Sequence, residues 1–232
     1  MHIPDGFISL PVIIVTFTVT LLFWVVSFVR VKGTLDERQV PLMGMLTALF
    51  FAAQMMNYPI IGGTTGHLLG GAAIGIILGP YAGCISMSII LILQCLLFGD
   101  GGITALGANV LNMGIIGVVI PAVLLLAINK VSRGKALYAG VFIASFTGDV
   151  LAAVAAGIEL GFSVPIFQYG LSVAVPAMAI NHSVIGVIEG VVTMALVGFL
   201  VKLRPDIMQH SVILKRFAVK NDEKQVSVKE EC

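Results

Sequence analysis

An all-α integral membrane protein of about seven transmembrane helices is the fold this sequence predicts, and three observations predict it. The 232 residues are 58% hydrophobic and only 11% charged, with a mean hydropathy of +1.06. Soluble domains carry charge on roughly a quarter of their residues. Charge-free apolar runs recur at 10–29 and 108–128, each near the roughly 20 residues that cross a bilayer. The basic residues, finally, are confined to a few segments, which fixes a topology.

Helices are predicted over 10–29, 40–56, 68–79, 82–98, 108–129, 136–157 and 181–203. The first follows Asp5 and no basic residue, so it reads as a permanent span rather than a signal peptide. Gly79-Pro80 separates the third from the fourth. The stretch between the sixth and seventh, interrupted by Pro165 and Pro176, is expected to lie at the surface or re-enter, its pieces being too short to span. With the N-terminus outside and the C-terminus cytoplasmic, seven crossings put Arg30, Lys32, Arg38, Lys130, Arg133, Lys135 and every basic residue from Lys202 onward on the cytoplasmic side. That accounts for all 13. Outside segments hold only Asp5, Asp100 and Glu159. Residues 1–205 therefore form one membrane domain, opened by the segment 1–9, and residues 206–232 a polar cytoplasmic tail. The protein is expected in the cell membrane, with no nucleic-acid partner.

Small residues recur at helical spacing in Gly71, Gly75, Gly79 and Gly83 and in Gly148, Ala152 and Ala156. They are read first as close helix packing, with a docking surface for another subunit as the alternative. Cys84, Cys95 and Cys232 fit neither a disulfide framework nor a paired zinc site. Met43, Met45, Met55 and Met56 are irregularly spaced and read as core filler.

The N-terminus is the most informative place. His2 is too large for Met1 to be trimmed, so a free α-amine is expected on Met1. That amine, the His2 main-chain nitrogen and the His2 Nδ1 can close fused five- and six-membered chelate rings round one metal. A fourth nitrogen would complete a square plane, the geometry of Ni(II) or Cu(II), and a neutral imidazole is the natural donor. Of the other histidines, His210 lies on the cytoplasmic side and His182 begins the seventh helix as a reserve or supporting group. His67 sits outside on a glycine-rich loop that can bend inward. Such a centre needs a deprotonated amine, neutral imidazoles and a displaced amide proton, so affinity is expected to fall steeply from pH 8 to pH 6.

The segments MHIPDGFIS, GGTTGHLLGGA near 61–73, FGDGGITALGANVLNMG at 98–114 and NHSVIGVIEGVVT at 181–193 together resemble the NikM/CbiM family. Its members are the substrate-specific S components of energy-coupling-factor (ECF) transporters for nickel and cobalt. The resemblance covers roughly residues 1–203. It implies a metal site of four nitrogens on Met1, His2 and His67, and Ni(II) or Co(II) as the transported substrate. It also implies four partners: a membrane coupling subunit, two cytoplasmic ATPases and a small companion membrane protein.

Asp149 and Glu189 fall inside predicted helices, where ionisable groups are costly and often functional. They read as structural carboxyls or as groups supporting an imidazole. His182 and Glu189 share a face but stand about 10 Å apart by helical rise, too far to bond directly. Asn109 and Asn112 are expected to bond between helices, with contact to the N-terminal segment as the alternative for the pair. Thr64 and Thr65 are expected to bond the loop backbone or orient His67. The chain lacks a phosphate-binding GxxxxGK[ST] loop, so it is read as a transport subunit rather than an enzyme. The alternatives are an ion-coupled secondary transporter using Asp149 and Glu189, and an intramembrane hydrolase, whose HExxH and GxSxG motifs are absent.

Overall fold

The computed structural model describes residues 1–33, 35, 39–208, 211 and 213–215; Arg38, His210, Cys232 and the tail beyond 215 lie outside the described residues. The elements are α1 (Leu10–Val31), α2 (Gln39–Gln54), the two-residue strands β1 (Tyr58–Pro59) and β2 (Thr65–Gly66), and α3 (Gly71–Leu78). Next come α4 (Pro80–Leu93), extended by a π-helical turn at Gln94–Phe98, and α5 (Leu106–Asn109), joined through the wide turn Val110–Ile116 to α6 (Gly117–Ser132). α7 (Leu137–Gly161), α8 (Leu171–Leu203) and the short α9 (Pro205–Met208) follow.

Five stretches are long and apolar enough to cross a membrane: Leu10–Val31, Pro80–Phe98, Leu106–Ser132, Leu137–Gly161 and Leu171–Leu203. α2, at 16 residues, and α3, at 8, rise only about 24 and 12 Å, so neither covers a hydrocarbon layer of about 30 Å alone. The protein is a multi-pass membrane protein, and α1 shows how its helices are oriented. Thr16, Thr20 and Ser27 are buried while Leu10, Ile14, Leu22, Val25 and Val29 are exposed. The Thr20 hydroxyl donates to the Gly107 carbonyl at 2.8 Å, and the Trp24 indole N–H to the Ser88 hydroxyl at 2.8 Å. Polar groups point inward to partners and aliphatic ones outward, as hydrocarbon demands.

Three expectations are corrected. The stretch 158–180 is mostly helical rather than a surface or re-entrant segment: α7 runs on to Gly161, α8 begins at Leu171, and only 162–170 form an irregular, partly exposed connection. Pro176 lies in the second turn of α8, where it removes one backbone bond without ending the helix. Glu159 is consequently not an outside loop residue but a buried one on α7, accepting a hydrogen bond from the Asn112 amide at 2.6 Å. The four-residue glycine row is not one ridge. Gly79 ends α3 at φ 87°, and Gly83 lies in the first turn of α4, packed against Gly75. Both rows serve internal packing: a Cβ on Gly75 would stand 2.4 Å from the Val118 carbonyl oxygen, and one on Gly148 2.2 Å from Pro121 Cγ.

Candidate metal-binding site

Residues 1–9 enter the bundle and are stitched to it at four places. Asn109 pairs with Ile3 as a strand would, its Oδ1 accepting the Ile3 N–H at 2.8 Å and its Nδ2 donating to the Ile3 carbonyl at 3.1 Å. The Gly102 N–H donates to the same carbonyl at 2.9 Å. The Asp5 carboxylate accepts the N–H groups of Ile103 and Thr104 at 3.2 and 2.7 Å and the Thr104 hydroxyl. The Ser9 N–H donates to the Ser163 hydroxyl at 3.0 Å. Gly102 is required here, because a Cβ would lie 2.2 Å from the Asp5 nitrogen. Met1, His2 and Ile3 end up 0, 1 and 0% exposed.

The loop after α2 comes to meet them. β1 and β2 pair antiparallel, Pro59 opposite Thr65 and Tyr58 opposite Gly66, which turns the chain inward and buries His67. Thr65 takes a larger part than its sequence position suggested. Its carbonyl and hydroxyl accept hydrogen bonds from the Met1 amine, the latter at 3.0 Å, and the hydroxyl accepts the His2 N–H at 3.1 Å. Thr65 therefore holds the terminus rather than orienting His67. The His2 and His67 rings are stacked, with centroids 4.7 Å apart and planes inclined by 27°.

Three buried ring nitrogens have no hydrogen-bond partner: both of His2 and the Nε2 of His67. An unsatisfied buried polar group costs about 1–3 kcal/mol, and such groups in a native structure call for an explanation. His67 Nδ1 lies 3.0 Å from the Leu68 carbonyl; with the proton on Nδ1, the Nε2 lone pair is left free, the arrangement usual for a metal-bound imidazole. Among the described residues the one carboxylate paired with His2 is Asp100, whose Oδ2 stands 3.8 Å from Nε2, beyond hydrogen-bond range, and accepts from Asn57 at 2.9 Å.

Electrostatics favours neutral donors. Burial pushes the Met1 amine down to about 4, against the pull of Asp149 and Asp100. Burial, helped by the neighbouring amine, holds the His2 and His67 imidazoles well below the usual histidine range. Burial also raises Asp100. Among the described residues no three His, Cys, Asp or Glu side chains are grouped as a ligand set, so a centre here must draw on the terminal amine and a main-chain nitrogen.

The supporting candidates separate into two groups. His182 does not open a helix but lies well inside α8, fully buried. Its Nδ1 is 3.2 and 3.3 Å from the two Asp149 oxygens, and its Nε2 is 3.4 Å from the Thr65 carbonyl. Glu189 accepts the N–H groups of Leu69 and Gly70 at 2.7 and 3.1 Å, supporting the His67 loop through its backbone rather than through an imidazole. Two contributors escaped the sequence reading: Gln54, the last residue of α2, and the Asp149–His182 pairing across 33 residues. A lone amide in FFAAQMM was the available signal for Gln54.

A multi-pass helical bundle with free nitrogens at its N-terminal segment matches, among known proteins, the metal transport proteins of membranes. The chain belongs to the family CbiM, described as the cobalt uptake substrate-specific transmembrane region, whose model matches residues 2–207. It is 40% identical over 224 residues to the fused nickel transport protein NikMN of Rhodobacter capsulatus, covering 90% of this chain and 64% of that longer protein. The cobalt transport protein CbiM of Thermosipho melanesiensis is 28% identical over 208 residues, with 87% of each covered. A crystal structure of a transition metal transporter superposes with a TM-score of 0.81 at 35% identity, covering 95% of this chain and 99% of that one.

Proposed function

We propose that this chain is the substrate-binding S component of an ECF-type transporter, taking Ni(II) or Co(II) from outside for ATP-driven uptake by partner subunits. The donors are the Met1 amine, the His2 main-chain nitrogen, His2 Nδ1 and His67 Nε2. The observation that carries this reading is the set of unpartnered buried ring nitrogens beside a buried amine. Chelate chemistry supplies the rest. Met1 and His2 close the two fused rings, and His67 takes the remaining corner. The His2 N–H must be lost on binding, and the Thr65 hydroxyl is the acceptor facing it.

The segregation of basic residues supports an outward-facing N-terminus; the two crossings this orientation requires beyond the five long spans would be made by α2 and by α3 together with the buried loop that precedes it. The partners are a membrane coupling subunit, two ATPases and a small companion membrane protein. A planar nitrogen set suits Ni(II) better than Co(II). The ion-coupled reading fares worse, because Asp149 faces His182 and Glu189 faces the Leu69 and Gly70 N–H groups.

Isothermal titration of the purified full chain with each metal tests the reading. Nickel should bind with one ion per chain, and His2→Ala should abolish that isotherm. Undiminished nickel binding by His2→Ala would overturn the proposal.

A further inference from the structure

The loop that carries His67 is gripped immediately beyond it by side chains from two distant helices. On one side Glu189 of α8 accepts the N–H groups of Leu69 and Gly70 at 2.7 and 3.1 Å. On the other, the Gln54 amide nitrogen at the end of α2 donates to the Leu69 carbonyl at 2.7 Å, and also faces the Met87 sulfur at 3.3 Å. Both Leu69 main-chain groups are thus bound by side chains, and both gripping residues are buried, Gln54 at 0% and Glu189 at 1% exposed. Gly70 is the N-cap of α3, at φ 73°, and a Cβ there would lie 1.9 Å from the Phe50 ring. The backbone is therefore pressed on α2 where Glu189 meets the N–H groups of the N-cap Gly70 and of Leu69 before it, at the end of a helix where a carboxylate is favoured.

We propose that Gln54 and Glu189 are positioning residues for the metal centre: together they fix the Leu69 peptide, and through it the aim of His67 Nε2 at the terminal chelate. This rests on His67 being the fourth donor. The link is short. His67 Nδ1 bonds to the Leu68 carbonyl, which belongs to the peptide joining Leu68 to Leu69. The N–H of that same peptide is the Leu69 N–H that Glu189 accepts. One peptide unit thus receives the ring on its oxygen side and the carboxylate on its nitrogen side, so ring orientation and clamp are set by a single plane. Freed from Glu189, that peptide can rotate, carrying its carbonyl away from His67 Nδ1; Gln54 holds the next peptide, whose oxygen is the Leu69 carbonyl and whose Gly70 N–H Glu189 also accepts, and so braces the first from its far side.

A double-mutant cycle separates positioning from general stability. Nickel affinity is measured by equilibrium dialysis on the full chain for the parent, Glu189→Leu, His67→Ala and the double variant, with the absorption band of planar Ni(II) recorded for each. Glu189→Leu should weaken binding by about 10–100-fold, as loss of groups supporting a metal ligand does. In that background His67→Ala should add little, because the ring no longer reaches the metal. Glu189→Gln, whose amide oxygen can accept the same two N–H bonds, should restore both the affinity and the band. Gln54→Met keeps the shape and removes the donor. It should reproduce the non-additivity in milder form, and it carries the test if Glu189→Leu does not fold. Full additivity with His67→Ala in both backgrounds overturns the clamp. If His67→Ala has no effect on the parent, the donor assignment itself falls, which is a separate result.

Discussion

His2 and His67 lie ring against ring, 4.7 Å between centroids, each with a nitrogen that nothing in the protein satisfies. Two neutral imidazoles stacked in a buried pocket, one on the chain terminus and one on a loop, leave His67 Nε2 and both His2 nitrogens without a partner among the described residues. A cation between terminus and loop would supply one, and it would add to the hydrogen bonds of Thr65 and the ring stacking that join the two segments.

Replacing His67 by alanine leaves three of the four proposed donors in place. Equilibrium dialysis with nickel should show weaker but measurable binding, reduced by at least the roughly 10–100-fold that loss of a mere supporting group costs. Affinity equal to the parent's would remove His67 from the centre.

The pH dependence should be shallower than the sequence suggests. An amine near 8 and imidazoles near 6.5 would be protonated below those values and would have to release protons on binding. In the folded protein burial lowers the amine to about 4 and both imidazoles well below their usual range, so these donors are already neutral between pH 6 and 8. Only the His2 amide proton remains to be displaced. Titration calorimetry in buffers of different ionisation enthalpy should give about one proton released per nickel, and affinity should change about tenfold per pH unit. The linkage also acts on docking. The undocked amine takes up a proton below about pH 8 and the docked one only below about 4, so docking weakens as pH falls through that window. Release of three protons per metal would show that the donors are protonated before binding.

Asn109→Ala should undock the N-terminal segment. It leaves the Ile3 N–H without a partner and takes one of two donors from the Ile3 carbonyl, a cost of about 1–3 kcal/mol for the unsatisfied group. The measurable outcome is faster proteolysis within residues 3–8, together with weaker nickel binding. Asn109→Asp keeps the acceptor and should fall between the two. Unchanged cleavage would show that Asn109 does not hold the segment.

Inserting one lysine between Met1 and His2 tests the terminus itself. Lysine is too large for Met1 to be trimmed, and Ile3 is anchored to Asn109, so the added residue has to displace Met1 from a pocket where it is fully buried. The altered terminus can still chelate nickel with its amine, two main-chain nitrogens and the imidazole, filling the plane and excluding His67. Nickel-dependent protease protection of the 62–67 loop should vanish and uptake should fail. Retained protection and normal uptake would mean that the amine is not a ligand.

Much of this was legible in the sequence because chemistry and chain position coincide there. Met1-His2 carries its chelating geometry in covalent bonds, and the inward turn of the His67 loop follows from glycines that permit it. Asn109 and Asn112 could be read as needing partners because a buried amide in a membrane helix must find one; Asn112 bonds between helices to Glu159, whereas Asn109 takes the alternative and holds Ile3 of the N-terminal segment. The start of α8 was misread because Pro176 looks like a breaker, yet it falls in the second turn, where the helix loses only one bond. The Asp149–His182 and Gln54–Leu69 contacts depend on how α7, α8 and α2 rotate against their neighbours, and apolar runs without a strong period do not specify that rotation.

Residues 1–9 make long-range connections in the site. Met1 waits for Thr65, 64 residues on; Ile3 for Asn109, 106 on; and Ser9 for Ser163, 154 on. Such contacts pay a large loop-closure entropy before they are rewarded, which places them late in assembly. At about 5–20 residues per second, the last of these partners emerges roughly ten to thirty seconds after the start of the chain. For that interval the terminal amine is open to processing enzymes and to acylating chemistry, and afterwards it is sealed. A modification acquired early is therefore locked in, and one molecule so marked stays unable to offer its amine for as long as the bundle remains folded.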